Sequence, residues 1–363
     1  MTARPPIEKA VVLCAGEGSR LRPLTFSRPK HLLPVAGTPI LGWALKALQE
    51  SGIRQVALVV GHQADAIRRY VGAGDAWGLN VRYIPQFRPL GIGHAVSLAR
   101  DFVEEHPFIV YLGDNLFLEG VTEFVSSLDG AQWDAGLLLK RVPDPSRFGV
   151  AQVQDEHVVR VVEKPQDPPS DLAIVGVYAF GPAIFEAINS LAPSDRGELE
   201  ITDAIQALLE GGARVRCSEA TGVWEDTGEP AALLKANRQW LVSQQAHITP
   251  GTTYECRVEG HVSIGQGTRV SNSQVIGPCR IGSNCIVRDA IVGPDVTIDE
   301  GCTVEAARLQ NCIVQRNCQI RHLGDSLVDS VLGEQVEIQG RPGKPHGVPL
   351  SLLLGDMGRV KAM

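Results

Sequence analysis

Apolar runs alternate with amphipathic helical patterns from about residue 8 to residue 245. Residues 10–13, 56–60 and 108–112 are short apolar runs of the kind that forms buried strands. Between them, apolar residues recur at helical spacing in segments 40–48 and 93–103. Strands that alternate with helices predict an α/β fold with a doubly wound, mostly parallel, Rossmann-like sheet.

A second pattern begins after about residue 250, where short units of an apolar residue followed by glycine replace the helical spacing. Val258, Ile264, Val270 and Ile276 are six residues apart. A hexapeptide repeat is typical of a left-handed parallel β-helix, in which every sixth residue packs inside. The sequence therefore predicts two domains, an α/β domain over residues 1–245 and a C-terminal left-handed β-helix over residues 246–363.

Composition narrows the function classes. The chain has 363 residues, 44% of them hydrophobic, and a net charge of −7 without a basic run, which argues against nucleic-acid binding. No apolar run is long enough for a membrane span, and the N-terminus leads into the first strand without a signal-peptide pattern. The eight cysteines include no C-x-x-C pair, which argues against zinc and redox motifs. These features predict a reduced, cytoplasmic protein without nucleic-acid or membrane partners.

The first apolar run ends in a glycine turn. Gly16, Gly18, Ser19 and Arg20 follow it within a few residues, and Lys30 comes after a proline. Glycines let the backbone approach a phosphate closely, and successive amides of such a turn bind anions. A P-loop lysine does not follow Gly18, and the third glycine of a dinucleotide-binding fingerprint is missing. We therefore predict a polyphosphate site that contains Arg20 and Lys30.

Two carboxylates lie at the ends of strand-like segments far apart in the chain. Asp114 follows the third apolar run, and Asp226 follows the apolar stretch near Trp224. Mg²⁺ is usually held by one or two carboxylates together with phosphate oxygens. Next to a triphosphate turn, Asp114 and Asp226 are the predicted metal ligands.

Three further polar positions suggest substrate contacts. Glu163 and Lys164 end a strand-like segment and suit sugar hydroxyls and a sugar phosphate, respectively. Gln86 carries an amide that can read a pyrimidine edge. Segment 196–203 is interpreted as a mainly structural helix start, with Thr202 or Ser194 as its cap.

These segments, in this order, resemble the long-form glucose-1-phosphate thymidylyltransferases of the sugar-1-phosphate nucleotidylyltransferase family over essentially the whole chain. The string G-x-G-[ST]-R-L-x-P-L-T…P-K from Gly16 to Lys30 is its most specific part. The resemblance implies a nucleotidyltransferase that makes dTDP-glucose and pyrophosphate from dTTP and glucose 1-phosphate with Mg²⁺, for deoxysugar or cell-surface polysaccharide biosynthesis.

The resemblance also implies roles for individual residues. Catalytic contacts would come from Arg20, Lys30 and Lys164, and the metal would be held by Asp114 and Asp226. Nucleotide contacts would come from Ala15, Gly16, Gly18, Ser19, Gln86, Pro89 and Gly91. Sugar-phosphate contacts would come from Asn115, Gly149, Glu163, Lys164 and Val175. The C-terminal coil would serve assembly or regulation, which predicts a homo-oligomer.

Some departures and alternatives stay open. The family more often has Thr at the position of Ser19 and Gln at the position of His31. At the position of Glu229 it more often has Lys or Thr. The sequence does not separate dTTP from UTP, since their bases differ by one methyl group. A bifunctional enzyme with acyl transfer in the coil would need a catalytic histidine such as His261 or His322. A non-catalytic sugar-nucleotide sensor would lack some of the cations and acids that are present here.

Overall fold

The structure is a computed structural model that describes residues 6–155, 157–250, 252–341 and 349–361. The start and end of the predicted domains, and the N-terminal residues used to argue against a signal peptide, lie partly outside these ranges. Contacts divide the chain into two units. Unit 1 contains Met1–Glu17 and Leu41–Trp224, and unit 2 contains Gly18–Ile40 and Glu225–Met363. The domain boundary at residue 245 stays a prediction.

Helices and strands are labelled in chain order over the described residues. The helices are α1 (Ile40–Glu50), α2 (Ala64–Val71), α3 (Ile92–Ser97), α4 (Arg100–Val103), α5 (Thr122–Ser127), α6 (Ala183–Asn189), α7 (Ile201–Glu210) and α8 (Pro230–Ser243). The strands before residue 245 are β1 (Lys9–Cys14), β2 (Pro34–Val35), β3 (Thr38–Pro39), β4 (Gln55–Val60), β5 (Asn80–Pro85), β6 (Phe108–Leu112), β7 (Asn115–Phe117), β8 (Ala135–Arg141), β9 (Gly149–Gln154), β10 (His157–Glu163), β11 (Leu172–Phe180), β12 (Val215–Glu219) and β13 (Trp224–Asp226). The later strands are β14 (Thr253–Tyr254), β15 (Arg257–Glu259), β16 (Val262–Ile264), β17 (Arg269–Ser271), β18 (Gln274–Ile276), β19 (Cys279–Ile281), β20 (Ile286–Arg288), β21 (Ile291–Val292), β22 (Val296–Ile298), β23 (Thr303–Glu305), β24 (Arg308–Val314), β25 (Gln319–Arg321), β26 (Ser326–Leu332), β27 (Glu337–Gln339), β28 (Leu353–Leu354) and β29 (Arg359–Lys361).

Unit 1 contains a nine-stranded sheet in the order β5-β4-β1-β6-β11-β8-β12-β10-β9. The four strands β5, β4, β1 and β6 run parallel, whereas β11 and β10 run antiparallel to their neighbours. The predicted mostly parallel α/β sheet is confirmed, and its first three predicted strands correspond to β1, β4 and β6. The predicted helix over 93–103 is instead two short helices, α3 and α4, separated at Leu98–Ala99.

The core of unit 1 is built from the apolar runs that predicted the strands. Val11 and Val110 from the parallel strands are fully buried with Phe180 of β11 and Ile205 of α7. Phe108 stacks on Phe185 of α6 with ring centroids 5.6 Å apart. Burial of these side chains holds α6 and α7 in one core with the sheet.

Unit 2 contains a parallel β-helix, as the hexapeptide pattern predicts. Its strands stack with Val258 on Val275, Ile264 on Ile281 and Val270 on Val287. Each of these steps is 17 residues (275 − 258, 281 − 264, 287 − 270), one fewer than three hexapeptides. The predicted inward position of Ile276 is therefore wrong: Val275 is buried in its place and Ile276 is only half-buried. The short corner between Val270 and Val275 shifts the pattern by one residue.

Cysteines fill inward positions of the β-helix. Cys279, Cys285, Cys312 and Cys318 are each at most 2% exposed. None of the eight cysteines, all of which lie in the described ranges, forms a disulfide bond. Burial raises the pKa of the Cys279 and Cys312 thiols to about 12, as expected for side chains that only pack.

The other elements of unit 2 pack on the β-helix. Helix α8 contacts β22, β24 and β26 of the coil and the short strand β2. Segment 18–40, which includes β2 and β3, therefore belongs to the same unit as the coil. In the part of the chain that the structure describes, no helix has the length and apolar character needed to span a membrane.

Candidate active site

The carboxyl ends of β5, β4, β1 and β6 form one edge of the parallel part of the sheet in unit 1. Ala15 and Gly16 follow β1, Gly61 follows β4, Gln86 follows β5 and Asp114 follows β6. A Cβ on Gly61 would lie 2.9 Å from the Ala15 carbonyl oxygen, so only glycine lets these two strand ends approach so closely. Ligands of open α/β sheets bind at such an edge.

Gln86 is held in a structured loop. Its side chain is 7% exposed, and its amide nitrogen lies 2.9 Å from Nδ1 of His94. Gly91 has φ +99°, and a Cβ there would lie 2.7 Å from the carbonyl oxygen of Leu199. Leu199 also donates a backbone hydrogen bond of 2.8 Å to Leu90. The loop that carries Gln86, the exposed Pro89 and Gly91 is thus fixed on segment 198–199.

Asn115 occupies a buried position beside Asp114. Its amide nitrogen donates to Oδ1 of Asp114 at 3.0 Å, and its amide oxygen accepts a 2.7 Å hydrogen bond from the indole of Trp224. Burial and then the charge of Asp114 raise the pKa of Tyr111, whose hydroxyl donates to the Asn115 carbonyl oxygen. The contact of Trp224 with Asn115 was not indicated by the sequence.

Glu163 is the centre of a second polar cluster. Its carboxylate accepts hydrogen bonds of 3.1 Å from Thr202 and 3.1 Å from Arg196, and Nζ of Lys164 lies 3.6 Å away. Gly149 is its partner across the β9–β10 ladder, where a Cβ would lie 2.7 Å from the Thr202 methyl group. The absence of a side chain at Gly149 leaves room for Thr202, which donates to Glu163.

The two clusters of unit 1 lie close to one another. A Cβ on Gly176 would lie 3.0 Å from the Asn115 side chain, and the preceding residue, Val175, is fully buried in β11. Burial first, and then the charges of Glu163 and Asp114, raise the pKa of Tyr178 in the same strand. The structure thus brings together the five predicted sugar-phosphate positions along β7, β9, β10 and β11.

A helix begins within segment 196–203, as the sequence predicts, but its predicted caps are not used. Helix α7 begins at Ile201 after Glu200, and neither predicted cap is used. Thr202 instead donates to Glu163, and Ser194 donates to Glu200 at 2.9 Å. Arg196 lies between the carboxylates of Glu163 and Glu200, which makes this segment part of the Glu163 cluster.

The glycine turn after β1 continues into unit 2. Gly18 has φ +65°, and its carbonyl oxygen accepts a hydrogen bond of 2.8 Å from Thr25. A Cβ on Gly18 would lie 3.0 Å from Cβ of Lys30. Ser19 and Arg20 are exposed directly after this glycine. The turn thus packs against the residue that carries the second predicted cation.

Arg20 lies next to the segment that contains Asp226. Its guanidinium forms a 3.1 Å ion pair with Glu229, and a Cβ on Gly228 would lie 2.9 Å from one of its nitrogens. Oδ1 of Asp226 accepts a 3.1 Å hydrogen bond from the Gly228 backbone. Glu229, which departs from the usual family residue, is therefore the acid that pairs with Arg20.

Asp114 and Asp226 each offer carboxylate oxygens, the ligands that a hard divalent cation prefers, and their joint role as metal ligands stays a prediction. No group of three or more His, Cys, Asp and Glu side chains is arranged to hold a metal within the described ranges. A divalent cation needs fewer than three protein ligands when the phosphates of a substrate complete its coordination shell.

The histidines considered for acyl transfer lie in the coil. His261 has Nε2 in contact with the carbonyl oxygen of Gln244. His322 lines an open groove of about 720 Å³ together with Arg257, Asp289 and Arg308.

Comparison with protein families identifies the class of enzyme. Residues 9–243 match the nucleotidyl transferase family, and residues 233–304 match the family of GlmU-like C-terminal hexapeptide domains. The chain belongs to the nucleotidyl transferase family, and it is an enzyme with a nucleotidyltransferase domain followed by a hexapeptide coil.

Relatives along the whole chain narrow this class. A glucose-1-phosphate thymidylyltransferase of Streptomyces griseus is 42% identical over 97% of this chain and 99% of its own. One of Streptomyces antibioticus is 39% identical over the same shares of the two chains. The crystal structure of a putative glucose-1-phosphate thymidylyltransferase from Bacillus anthracis, in complex with a sucrose, is 35% identical, has a TM-score of 0.60 and covers 64% of this chain and 94% of that chain. The resemblance predicted from the motifs is confirmed. Nucleotidyltransferases of this family generally use a divalent metal.

Proposed function

We propose that this chain transfers a thymidylyl group from dTTP to glucose 1-phosphate, which gives dTDP-glucose and pyrophosphate. The observation that carries the proposal is the similarity to the Streptomyces griseus thymidylyltransferase across nearly the full length of both chains. The product would serve deoxysugar or cell-surface polysaccharide biosynthesis in the cytoplasm.

The Glu163 cluster is the proposed sugar-phosphate site. Thr202 and Arg196 hydrogen-bond to Glu163, which orients its carboxylate toward sugar hydroxyls, while exposed Lys164 offers a cation to the phosphate. Asn115, Gly149 and Val175 complete this side. The dense hydrogen bonding of Glu163 supports a binding role, because an oriented carboxylate needs no rearrangement when substrate arrives.

The nucleotide is proposed to lie along the carboxyl edge of the parallel strands. Ala15, Gly16, Gly18 and Ser19 supply backbone groups for the triphosphate, and Arg20 and Lys30 supply charge. Gln86, Pro89 and Gly91 contact the base. The buried amide of Gln86 supports this role, since its hydrogen bond with His94 fixes the orientation in which it can meet a pyrimidine.

The reaction needs no general base because the attacking sugar phosphate is already an anion. Its oxygen attacks the α-phosphorus in line, the bond from that phosphorus to the β-phosphate oxygen breaks, and pyrophosphate leaves. Arg20, Lys30 and Lys164 hold the reacting phosphates and neutralise their charge. Mg²⁺, held by Asp114 and Asp226, would supply further charge neutralisation when bound. Loss of one such contact costs on the order of 3 kcal/mol, or about a hundredfold in rate.

Other functions are weaker candidates. A non-catalytic sensor would not need all of the cations and acids retained here. Acyl transfer would need an accessible histidine base in an acceptor motif. Nε2 of His261 contacts a backbone carbonyl, and His322, although it lines the open groove, lies in no recognisable acceptor motif. We propose that the coil, over residues 246–363, serves assembly of a homo-oligomer or regulation, and that residues 1–245 carry the nucleotidyltransferase chemistry.

A matrix of nucleotides and sugar phosphates tests the proposal by pyrophosphate release. We expect the highest kcat/KM for dTTP with glucose 1-phosphate. UTP should be used less well by about tenfold or more, as one methyl group in a pocket permits. A clear preference for UTP, or for another sugar phosphate, would assign the chain to a different member of the same reaction class.

A further inference from the structure

The loop that carries the predicted triphosphate cations is attached to the end of the β-helix. The guanidinium of Arg28, which is 17% exposed, lies 2.9 Å from Asp356 and 3.0 Å from Glu334, and donates a 2.8 Å hydrogen bond to Gln315. Asp356 also accepts hydrogen bonds of 2.6 Å from Ser27 and 2.8 Å from the Glu334 backbone. Arg28 thus joins the loop to residues of the last coils.

The charges in this cluster support one another. Burial alone would lower the pKa of Arg28, but its hydrogen bonds with Glu334 and Asp356 and their charges raise it. The fork of Arg28 contacts three acceptors, an arrangement that the single ammonium of a lysine cannot reproduce. The cluster is therefore a directional anchor for the Arg28 backbone.

Further contacts hold the same segment on either side of Arg28. The Gly355 Cα approaches Pro23 so closely that a Cβ there would lie 2.9 Å from the Pro23 carbonyl oxygen. The fully buried side chain of Asn237 accepts hydrogen bonds of 2.9 Å from the Ala36 backbone and 2.7 Å from Thr297 of the coil. Segment 18–40 is thus anchored at its centre and near both ends.

We propose that Arg28, Glu334 and Asp356 are positioning residues, through which the last coils of the β-helix hold Arg20 and Lys30 in the geometry that nucleotide binding requires. Lys30 is only two residues from Arg28, and the Gly18–Lys30 and Gly18–Thr25 contacts connect it to Arg20. The coil then contributes to the site itself, in addition to the assembly or regulation proposed above. This inference rests on the proposed function of Arg20 and Lys30.

Two substitutions test the anchor. Asp356→Asn keeps an acceptor for the Glu334 backbone but removes the charge that faces Arg28, and Arg28→Gln removes the fork. Glu337→Gln is the matched control, since Glu337 forms a 3.3 Å ion pair with Arg359 between coils of the same region. Each variant of the full chain is assayed for kcat and for KM of both substrates, and its thermal midpoint is measured.

We expect Arg28→Gln and Asp356→Asn to lower kcat/KM for dTTP by about tenfold, with a smaller change in KM for glucose 1-phosphate. The double variant should lose little more than the more severely affected single variant, because both substitutions break one interaction. Glu337→Gln should leave both parameters unchanged. Unchanged kinetics in both anchor variants would overturn the proposal, and Asp356→Asn decides it alone if Arg28→Gln does not fold.

Amide hydrogen exchange provides a readout that does not depend on activity. Asp356→Asn should speed exchange at residues 18–30 relative to wild type and to Glu337→Gln. If Asp356→Asn speeds amide exchange at residues 18–30 but the wild-type enzyme does not use dTTP, the proposed function fails while the anchor stands. If wild type is an active thymidylyltransferase and neither exchange nor kinetics changes, the anchor fails while the proposed function stands.

Discussion

The hydroxyl of Thr202 donates a 3.1 Å hydrogen bond to Oε2 of Glu163 and thereby joins the first turn of α7 to the end of β10. Its methyl group packs where a side chain at Gly149 would otherwise lie. A threonine at the start of a helix commonly caps it, but here the residue orients a carboxylate of the proposed sugar site.

Thr202→Val keeps the shape of the side chain and removes this donor. We expect KM for glucose 1-phosphate to rise about tenfold, because a hydrogen bond to a charged group contributes about 1.5 kcal/mol or more. Initial-rate kinetics measure it, and Thr202→Ser, which keeps the hydroxyl, is the control. A KM in Thr202→Val equal to that of wild type would show that Glu163 needs no support from α7.

Arg20 and Lys164 are predicted to serve different substrates. Arg20→Ala should impair dTTP use and pyrophosphorolysis together, since Arg20 lies in the proposed triphosphate turn. Lys164→Ala should chiefly raise KM for glucose 1-phosphate, with some loss of kcat, and Lys164→Arg should restore it only in part. Saturation curves for each substrate measure the split. Impaired dTTP saturation in Lys164→Ala, with normal sugar saturation, would contradict the position of the sugar pocket.

Asp226→Asn tests the proposed metal site. The variant should keep the fold and lose about a hundredfold or more in rate, and it should need more Mg²⁺ for half-maximal activity, because an amide is a weaker ligand than a carboxylate. A Mg²⁺ titration of the rate measures both effects, and circular dichroism checks the fold. Near-normal rates at all Mg²⁺ concentrations would exclude Asp226 as a ligand.

Local sequence patterns predicted where the strands of this chain lie better than they predicted which strands pair. The runs that became β1, β4 and β6 are apolar because the strands are buried, and that signal is visible in the sequence. The antiparallel insertion of β11 between β6 and β8 depends on pairing at long sequence separation, which no local pattern records. The β-helix was also predictable, because its buried apolar residues recur along the sequence. Its coils of 17 residues, one fewer than three hexapeptides, place Val275 and not Ile276 in the core.

The candidate site shows the same limit. Glycines, cations and acids at characteristic spacings pointed to Gly18, Arg20 and Glu163. The hydrogen bonds that orient side chains of the candidate site come from distant residues, such as Trp224 for Asn115 and Thr202 for Glu163. The contact between Arg28 and Asp356 spans 328 residues, so the sequence treated the glycine turn and the coil as parts of separate domains.

Gly18→Ala tests the contact between the glycine turn and Lys30. Gly18 has φ +65°, and replacing glycine at such a backbone angle costs about 1–2 kcal/mol of folding free energy. The added Cβ would also lie only 3.0 Å from Cβ of Lys30. Gly120→Ala is the matched control, because Gly120 has φ +74° with nothing within 4 Å. Both variants should lose thermal stability, Gly18→Ala more than Gly120→Ala because of the added contact, but only Gly18→Ala should raise KM for dTTP, by about tenfold. Equal KM values in the two variants would show that the contact with Lys30 has no role in nucleotide binding.

The pH dependence of stability should reveal the buried carboxyl group of Asp299. This side chain is 8% exposed, and burial raises its pKa, although Arg280, Arg316 and Arg28 lower it and Glu334 raises it further. A pKa that is higher in the folded chain means that the folded state binds the proton more tightly, so this group favours folding more as the pH falls through the raised pKa.

Asp299→Asn mimics the protonated form. We expect the difference in unfolding free energy between Asp299→Asn and wild type to favour the variant most at pH 7 and to shrink toward pH 4, as measured by urea unfolding at several pH values. Asp289→Asn, at an exposed position of the coil, is the control. A difference that stays constant across this range, or that grows toward pH 4, would contradict a raised pKa for Asp299.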